Sequence, residues 1–323
     1  MIVDLPDTTT SQVSKSLVKI REEGGVVALG RVLTLVIATT PGAEEEAIEA
    51  ANDASREHPM RVIVVSTESG AERSAAPPRL DAEIRVGGDA GASEVIVLRA
   101  SGDAALDEES LVMGLLLPDA PVVTWWPGAA PEVPGRSALG RIAHRRITDA
   151  STQPDPQAAL EALATSYTPG DADFAWTRLT LWRAQLAAVL DQPPYESVTG
   201  VRVTGAIDSP STTLLAAWLH LQLSAPTEYE LTSVEAGSHG IHGVRLERAS
   251  GAVELVRDVP GVATLRQPGQ PVHDLALPRR NLRDCLADEL RRLDPDELYG
   301  EVITSGLRAL LDAGHDGEVT HDE

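Results

Sequence analysis

Between residues 31 and 128, aliphatic runs rich in β-branched residues alternate with stretches of helical periodicity. RVLTLVIATT (31–40) and MRVIVVSTE (60–68) are apolar at nearly every position. A strand without a wet face must be buried on both sides, which a parallel sheet between helical layers provides. SEVIVLRAS (93–101) and APVVTWWPG (120–128) read as further strands, and AEIRVGG (82–88) as another candidate. AEEEAIEAANDASREH (43–58) is a helix with acids in its first turn, where the macrodipole favours them. DEESLVMGLLLPD (107–119) reads as a second helix. DTTTSQVSKSLVKIREEG (7–24) opens on cap-type residues, carries Val13, Leu17 and Ile20 at helical spacing, and stops at Gly24-Gly25. Residues 1–150 are therefore expected to form an α/β domain with a largely parallel sheet.

The pattern then changes. STQPDPQ and TPGDAD flank a short helix, PQAALEALATS (156–166), and place a boundary between Ala150 and Asp171. The aromatic helix DFAWTRLTLWRAQLAAVLD (173–191) ends at Gln192-Pro193-Pro194. SVTGVRVTG (197–205) is a strand and SPSTTLLAAWLHLQL (209–223) a capped helix. From 227 to 277, TEYELTSVE, IHGVRLERA, AVELVRDV, GVATLRQ and HDLALP alternate apolar and polar, as an antiparallel meander with one wet face does. PRRNLRDCLADELRRL and DPDELYGEVITSGLRALLDA close the chain as helices, with a polar acidic tail from about His315. The expectation is two α/β domains, 1–150 and 151–323. The second holds a mixed sheet, including the antiparallel meander, and the C-terminal helices.

Several function classes are disfavoured. With 49 acidic and 27 basic side chains the net charge is −22, a field that repels nucleic acid and anionic lipid. Cys285 is the only cysteine, which rules out an intramolecular disulfide and a Cys₄ or Cys₂His₂ zinc site. MIVDLPDTTT lacks the basic and apolar regions of a signal peptide, and no apolar run approaches the ~18–20 residues of a membrane span. A cytoplasmic protein with no membrane partner is expected. No Walker loop, GxGxxG after a strand, GxSxG elbow or HExxH occurs. GGVVALG (24–30) and VGGDAGAS (86–93) read as ordinary turns. His239 and His242 in SHGIHG would need a further carboxylate to hold a metal, and His315 and His321 lie in the tail. No catalytic residue, cofactor or metal is expected.

Some residues could still bind something. In VRVTGAIDSPSTTLLAAWL (201–219), a strand, a Gly-bearing loop and a Ser/Thr-rich helix start bring amides and hydroxyls together, so Gly205, Ser209, Ser211 and Thr212 form a possible anion seat. The plainer reading is capping by Ser209 or Ser211. On the aromatic helix, Ala175, Leu179, Trp182, Leu186, Val189 and Leu190 form one apolar stripe, flanked by Arg178 and Arg183. Trp176 falls beyond Arg183, at the core edge or in a cation–π or partner contact. Trp125 and Trp126 face opposite ways on a strand, and one lies at the strand end before Pro127-Gly128, where clefts form in α/β sheets. GRIAHRRITDAS (140–151) sets Arg141, His144, Arg145 and Arg146 in a basic island, either a solvated edge or a seat for an anion or an acidic partner. The partner-facing candidates are Trp125, Trp126, Arg145, Arg146, Trp176, Arg178 and Arg183.

These stretches also carry a resemblance. MIVDLPDTTT, GGVVALGRVLTLVI, LLLPDAPVVTWWPG, RRITDAS, DFAWTRLTLWRAQLA and LADELRRLDPDELYGEVI, in that order from Met1 to about Ile303, resemble the actinobacterial type of the OpcA family of glucose-6-phosphate dehydrogenase assembly proteins. The resemblance implies a non-catalytic partner that assembles or activates glucose-6-phosphate dehydrogenase in the oxidative pentose phosphate pathway, and it carries over no catalytic residues. Cyanobacterial relatives are linked to thioredoxin control through cysteines, whereas a lone Cys285 cannot form a dithiol switch. The alternative is a sensor that binds a sugar phosphate or nucleotide at the 205–213 helix start and relays that state to the dehydrogenase.

Overall fold

The structure is a computed structural model that describes residues 1–24, 31–68, 77–87, 94–233 and 239–318. The chain forms two compact units. One comprises Met1–Asp149, Gly170–Ala172 and Asn281–Pro295; the other comprises Ala150–Pro169, Asp173–Arg280 and Asp296–Glu323. GGVVALG (beyond Gly24), most of VGGDAGAS, the His315 side chain and His321 fall outside the described residues.

The first unit runs β1 (Ile2–Leu5), α1 (Thr10–Gly24), β2 (Leu33–Thr39), α2 (Glu44–Ala54), β3 (Met60–Thr67), β4 (Arg79–Arg85), β5 (Glu94–Ser101), α3 (Glu108–Met113), β6 (Val122–Trp125), α4 (Ala138–Arg141), β7 (Arg145–Thr148) and β8 (Asp171–Asp173). The sheet order is β1-β4-β5-β3-β2-β6-β7-β8. β2, β3, β5, β6 and β7 pair in parallel, and all eight residues of β3 are buried, as its unbroken apolar run demands. β4 is antiparallel to both β1 and β5, and its inward residues Leu80, Ala82 and Ile84 alternate with wetter ones. Val13 and Leu17, one turn apart on α1, are buried in the core with Ile63, Ile96 and Leu98. Because β3 lies on one side of β2 and β6 on the other, the winding reverses between β2 and β6.

The second unit begins with α5 (Pro156–Ser166), α6 (Phe174–Thr177) and α7 (Thr180–Leu190). The helix expected over 173–191 is thus tightened in the middle, where the Leu179 amide bonds three residues back, to Trp176. The hydroxyls of Thr177 and Thr180 donate to the carbonyls of Asp173 and Thr177, the kind of side-chain back-bonding that bends helices. Asp173 caps α6 through the Ala175 amide. The predicted stripe holds: Ala175, Leu179, Trp182, Leu186 and Val189 are buried, and Leu190 packs against them. β9 (Gly200–Ala206) leads through α8 (Pro210–Leu223) to β10 (Thr227–Thr232), which pairs parallel to it. β11 (Ile241–Glu247), β12 (Val253–Val259), β13 (Val262–Arg266) and β14 (His273–Ala276) complete an order of β10-β9-β11-β12-β13-β14, antiparallel from β9 through β14. The meander expected from 227 is corrected at its first strand, because the α8 crossover returns β10 parallel to β9. α8 lies so close to β9 that a Cβ at Gly205 would stand 2.1 Å from the Thr212 hydroxyl oxygen, so only glycine fits there.

α9 (Leu282–Arg291) belongs to the first unit, where it packs on α2. Arg283 pairs with Asp53 at 2.8 Å, and Arg291 with Glu57 at 3.0 Å. α9 also supplies Glu289, which accepts from Arg145 Nε at 2.8 Å, while Arg145 Nη1 donates to the Asp294 carbonyl. α10 (Glu297–Glu301), a π-helical turn (Val302–Gly306) and α11 (Leu307–Glu318) finish the second unit. Among the described residues no helix is long and apolar enough to cross a membrane.

Buried charge in the first unit is matched. Glu94, at the start of β5, is 1% exposed and holds Arg21 at 2.7 Å, Arg61 at 2.8 Å and Arg31 at 3.7 Å. Burial pushes its carboxyl pKa up, but the hydrogen bond from Arg21 and the charges of Arg61 and Arg31 outweigh that and hold it below its ordinary value. A carboxyl whose pKa is lowered on folding contributes stability that is present above its unfolded value and lost as pH falls through the folded one. Stability is therefore expected to fall on acidification below about pH 4.5, the ordinary value, and Glu94→Gln to remove part of that acid dependence in urea titrations at several pH values. At neutral pH, Glu94→Gln and Glu289→Gln are each expected to cost about 3–5 kcal/mol, because each leaves a buried guanidinium without its counter-charge.

Candidate functional site

In open α/β sheets, ligands collect at the carboxyl ends of the strands where the winding reverses, and a dinucleotide phosphate sits on the following helix N-terminus. Here that position lies beyond β2, at Thr40-Pro41-Gly42-Ala43 and the start of α2. It is filled from within. Glu44 is 5% exposed; its carboxylate accepts the Gly42 amide at 2.7 Å and the Ser66 hydroxyl at 2.8 Å, with Arg99 at 3.5 Å. Burial, the largest influence, raises its pKa, but the Ser66 hydroxyl, the Glu44 and Gly42 amides and Arg99 together hold it below the ordinary value. Glu45 and Glu46 follow in the same turn. An incoming phosphate would meet three carboxylates and an amide already engaged.

The basic island divides: Arg141 and His144 are exposed, whereas Arg145 and Arg146 are buried. Arg145 is 4% exposed and paired with Glu289. Arg146 is 8% exposed and paired with Asp171, and it also donates to the Ala143 carbonyl at 3.1 Å. Trp125 and Trp126 are likewise buried, at 0% and 5%; the Trp126 amide extends the pairing by donating to the Ile147 carbonyl, and its ring joins the first unit's core.

Trp176 is also core. It is 2% exposed, its indole N–H donates to Asp296 at 2.9 Å, and its ring lies 5.8 Å from that of Tyr299, which Tyr167 meets edge-on at 5.9 Å. The Arg183 guanidinium covers the Trp176 ring at 3.8 Å, the cation–π contact that the helical spacing suggested. The partner-facing set drawn from the sequence is therefore corrected: Trp125, Trp126, Arg145, Arg146 and Trp176 are buried, while Arg178 and Arg183 keep partial exposure.

The possible anion seat divides in two. Gly205 and Thr212 pack against one another, whereas Ser209 and Ser211 line a small recess of about 20 Å³, open to solvent, in the second unit. Ser209 occupies the N-cap position of α8 but makes no side-chain cap bond, and the Ser211 hydroxyl donates to the Ala175 carbonyl at 2.8 Å, so neither caps as expected. The recess is also lined by Arg178, Arg257 and Arg279. Arg178 was singled out from the sequence for a different role. Arg257 lies in AVELVRDV, expected only as an alternating strand, and Arg279 in PRRNLRDCLADELRRL, expected only as a helix.

Each arginine is placed by its neighbours. Arg178 donates to the Ser151 hydroxyl at 3.1 Å and lies 5.9 Å from the centre of the Phe174 ring. Arg257 donates to the Ile241 carbonyl at 2.8 Å and stands 5.7 Å from the centre of the Trp182 ring. Arg280 ties its segment to the Thr177 carbonyl at 3.1 Å and the Thr180 hydroxyl at 3.2 Å, which sets its neighbour Arg279 at the rim. Burial, and then the charge of Arg279, lower the pKa of Arg257. Asp208, next to Ser209 in the chain, is engaged by His239 at 2.7 Å. Among the described residues no group of three His, Cys, Asp or Glu is placed to hold a metal.

Comparison with known proteins gives a family. Residues 51–165 match the OpcA assembly domain, described as the N-terminal domain of a glucose-6-phosphate dehydrogenase subunit, and residues 169–303 match the corresponding C-terminal domain. No curated protein matches the chain. Among solved structures, an oxidoreductase from Sinorhizobium meliloti is 11% identical, covering 88% of this chain and 98% of its own, with a TM-score of 0.48. An oxidoreductase from Pseudomonas syringae is 13% identical over 89% and 98%, with a TM-score of 0.45. Myo-inositol dehydrogenase from Lactobacillus casei is 11% identical over 88% and 95%, also with a TM-score of 0.45. The two domain matches, in the expected order and over most of the sequence, establish that this chain belongs to the OpcA family of glucose-6-phosphate dehydrogenase assembly proteins.

Proposed function

We propose that the chain is a non-catalytic assembly factor and activator of glucose-6-phosphate dehydrogenase in the oxidative pentose phosphate pathway. The match of both halves to domains of a dehydrogenase-associated protein carries this reading. The start of α2 supports it, because the position where a doubly wound sheet would seat a cofactor phosphate is occupied by the Glu44 carboxylate. The activating step is a population shift: the chain binds the active conformation or oligomer of the dehydrogenase more tightly than the inactive one. A difference of ~1–3 kcal/mol in that affinity would raise the active fraction roughly 5–150-fold, within the limit set by full conversion.

The test is to titrate the purified chain into its cognate dehydrogenase while following NADPH formation and oligomer mass together. Saturable activation that tracks a co-migrating complex is expected, with no NADPH formed by the chain alone. NADPH formation without the dehydrogenase, or the absence of both complex and activation, would overturn the reading.

A further inference from the structure

We propose that the recess at the start of α8 binds a small phosphoryl anion, inorganic phosphate or the terminal group of a phosphomonoester. The first argument is charge. In a chain of net charge −22, Arg178, Arg257 and Arg279 line one recess, and among the described residues no carboxylate lines it. Among the described residues Arg257 and Arg279 form no ion pair. Arg257 is half-buried and stands near the like charge of Arg279; the attraction of a bound anion would offset both penalties.

The second argument is an idle hydroxyl. Ser209 is 4% exposed and lines the recess, yet among the described residues its side chain has no hydrogen-bond partner. A hydroxyl not committed to the protein, in a recess also lined by three arginines, is free to donate to an anion. The Ser211 proton is committed to Ala175, so Ser211 offers its amide instead. That amide belongs to the first turn of a 14-residue helix, where amides have no acceptor behind them and the macrodipole adds positive potential.

The third argument is preorganisation. Arg178 and Arg257 are held by hydrogen bonds and aromatic faces, so little side-chain freedom remains to be lost on binding. Three guanidinium forks, a hydroxyl and an amide supply more donors than the two oxygens of a carboxylate can use. A phosphomonoester presents three terminal oxygens and a charge of about −1.5 to −2 at pH 7. The open mouth leaves room for the ester group to project into solvent.

Calorimetry on the full chain at low ionic strength, with inorganic phosphate, phenyl phosphate and malonate, tests this. Saturable 1:1 binding of phosphate or phenyl phosphate, with malonate at least tenfold weaker, is the expected result. Arg279→Ala should weaken phosphate binding by about tenfold or more, and Ser209→Ala should weaken it in the same sense. The Arg279 side chain is exposed and unpaired among the described residues, so this variant should melt where the parent does. Phenyl phosphate binding with weak free phosphate would assign the seat to esters; the reverse would assign it to the free ion. No saturable heat from either phosphate, equal affinity for malonate, or unchanged affinity in a folded Arg279→Ala variant would each overturn the proposal. The experiment needs no dehydrogenase, so its outcome is separate from that of the activation assay.

Discussion

A guanidinium withdrawn from water must be given back a counter-charge or a full set of acceptors, or the fold loses several kcal/mol. The first unit is organised by that requirement. Glu94 gathers Arg21, Arg31 and Arg61 from α1, the strand lead-in and β3. Glu289 comes from α9, far along the chain, to meet Arg145, and Asp171 of β8 meets Arg146. Half of what looks in the sequence like a basic island, Arg145 and Arg146, is a set of internal connections between remote segments. In the second unit the half-buried Arg257 has carbonyl acceptors but, among the described residues, no counter-charge, and the exposed Arg279 stands beside it, which gives the recess its chemical character.

Two helix N-termini show the contrast. α2 opens with Glu44-Glu45-Glu46 and folds one of these carboxylates back onto the Gly42 amide, so its positive end is quenched by the chain itself. α8 opens with Pro210-Ser211-Thr212-Thr213, has no acid in its first turn, and leaves its N-cap hydroxyl unused. The first lies where a doubly wound sheet ordinarily seats a nucleotide; the second lies beside a mixed sheet. The topology that suggests a nucleotide enzyme and the electrostatics suited to hold a phosphate are thus in different places.

Apolar periodicity carried much of this to the reader of the sequence. The unbroken runs at 31–40 and 60–68 named buried parallel strands, and the alternation named the meander from 241 onward but not the parallel pairing of the strand at 227–232. The antiparallel direction of β4 was not legible, because alternation reports how many faces are wet and says nothing of polarity. Nor was the membership of α9: an amphipathic helix announces that it covers a core without saying which one. The tightened turn at Arg178-Leu179 accompanies hydroxyl bonds from Thr177 and Thr180, which a hydrophobic stripe does not register. Ser209 and Ser211 were legible as a helix start that could face an anion. The arginines opposite them come from β12 and the 278–280 segment, and only the folded chain brings them there.

The return of α9 has a consequence for how the protein is made. The first unit needs residues 281–295, which leave the ribosome only after almost all of the second unit has been synthesised. A nascent chain of 150 residues would hold Arg145 without Glu289 and Arg146 without Asp171. Completion of the first unit is thereby tied to completion of the chain, and a cut at the boundary between the matched domains would strand both arginines on the wrong side of it.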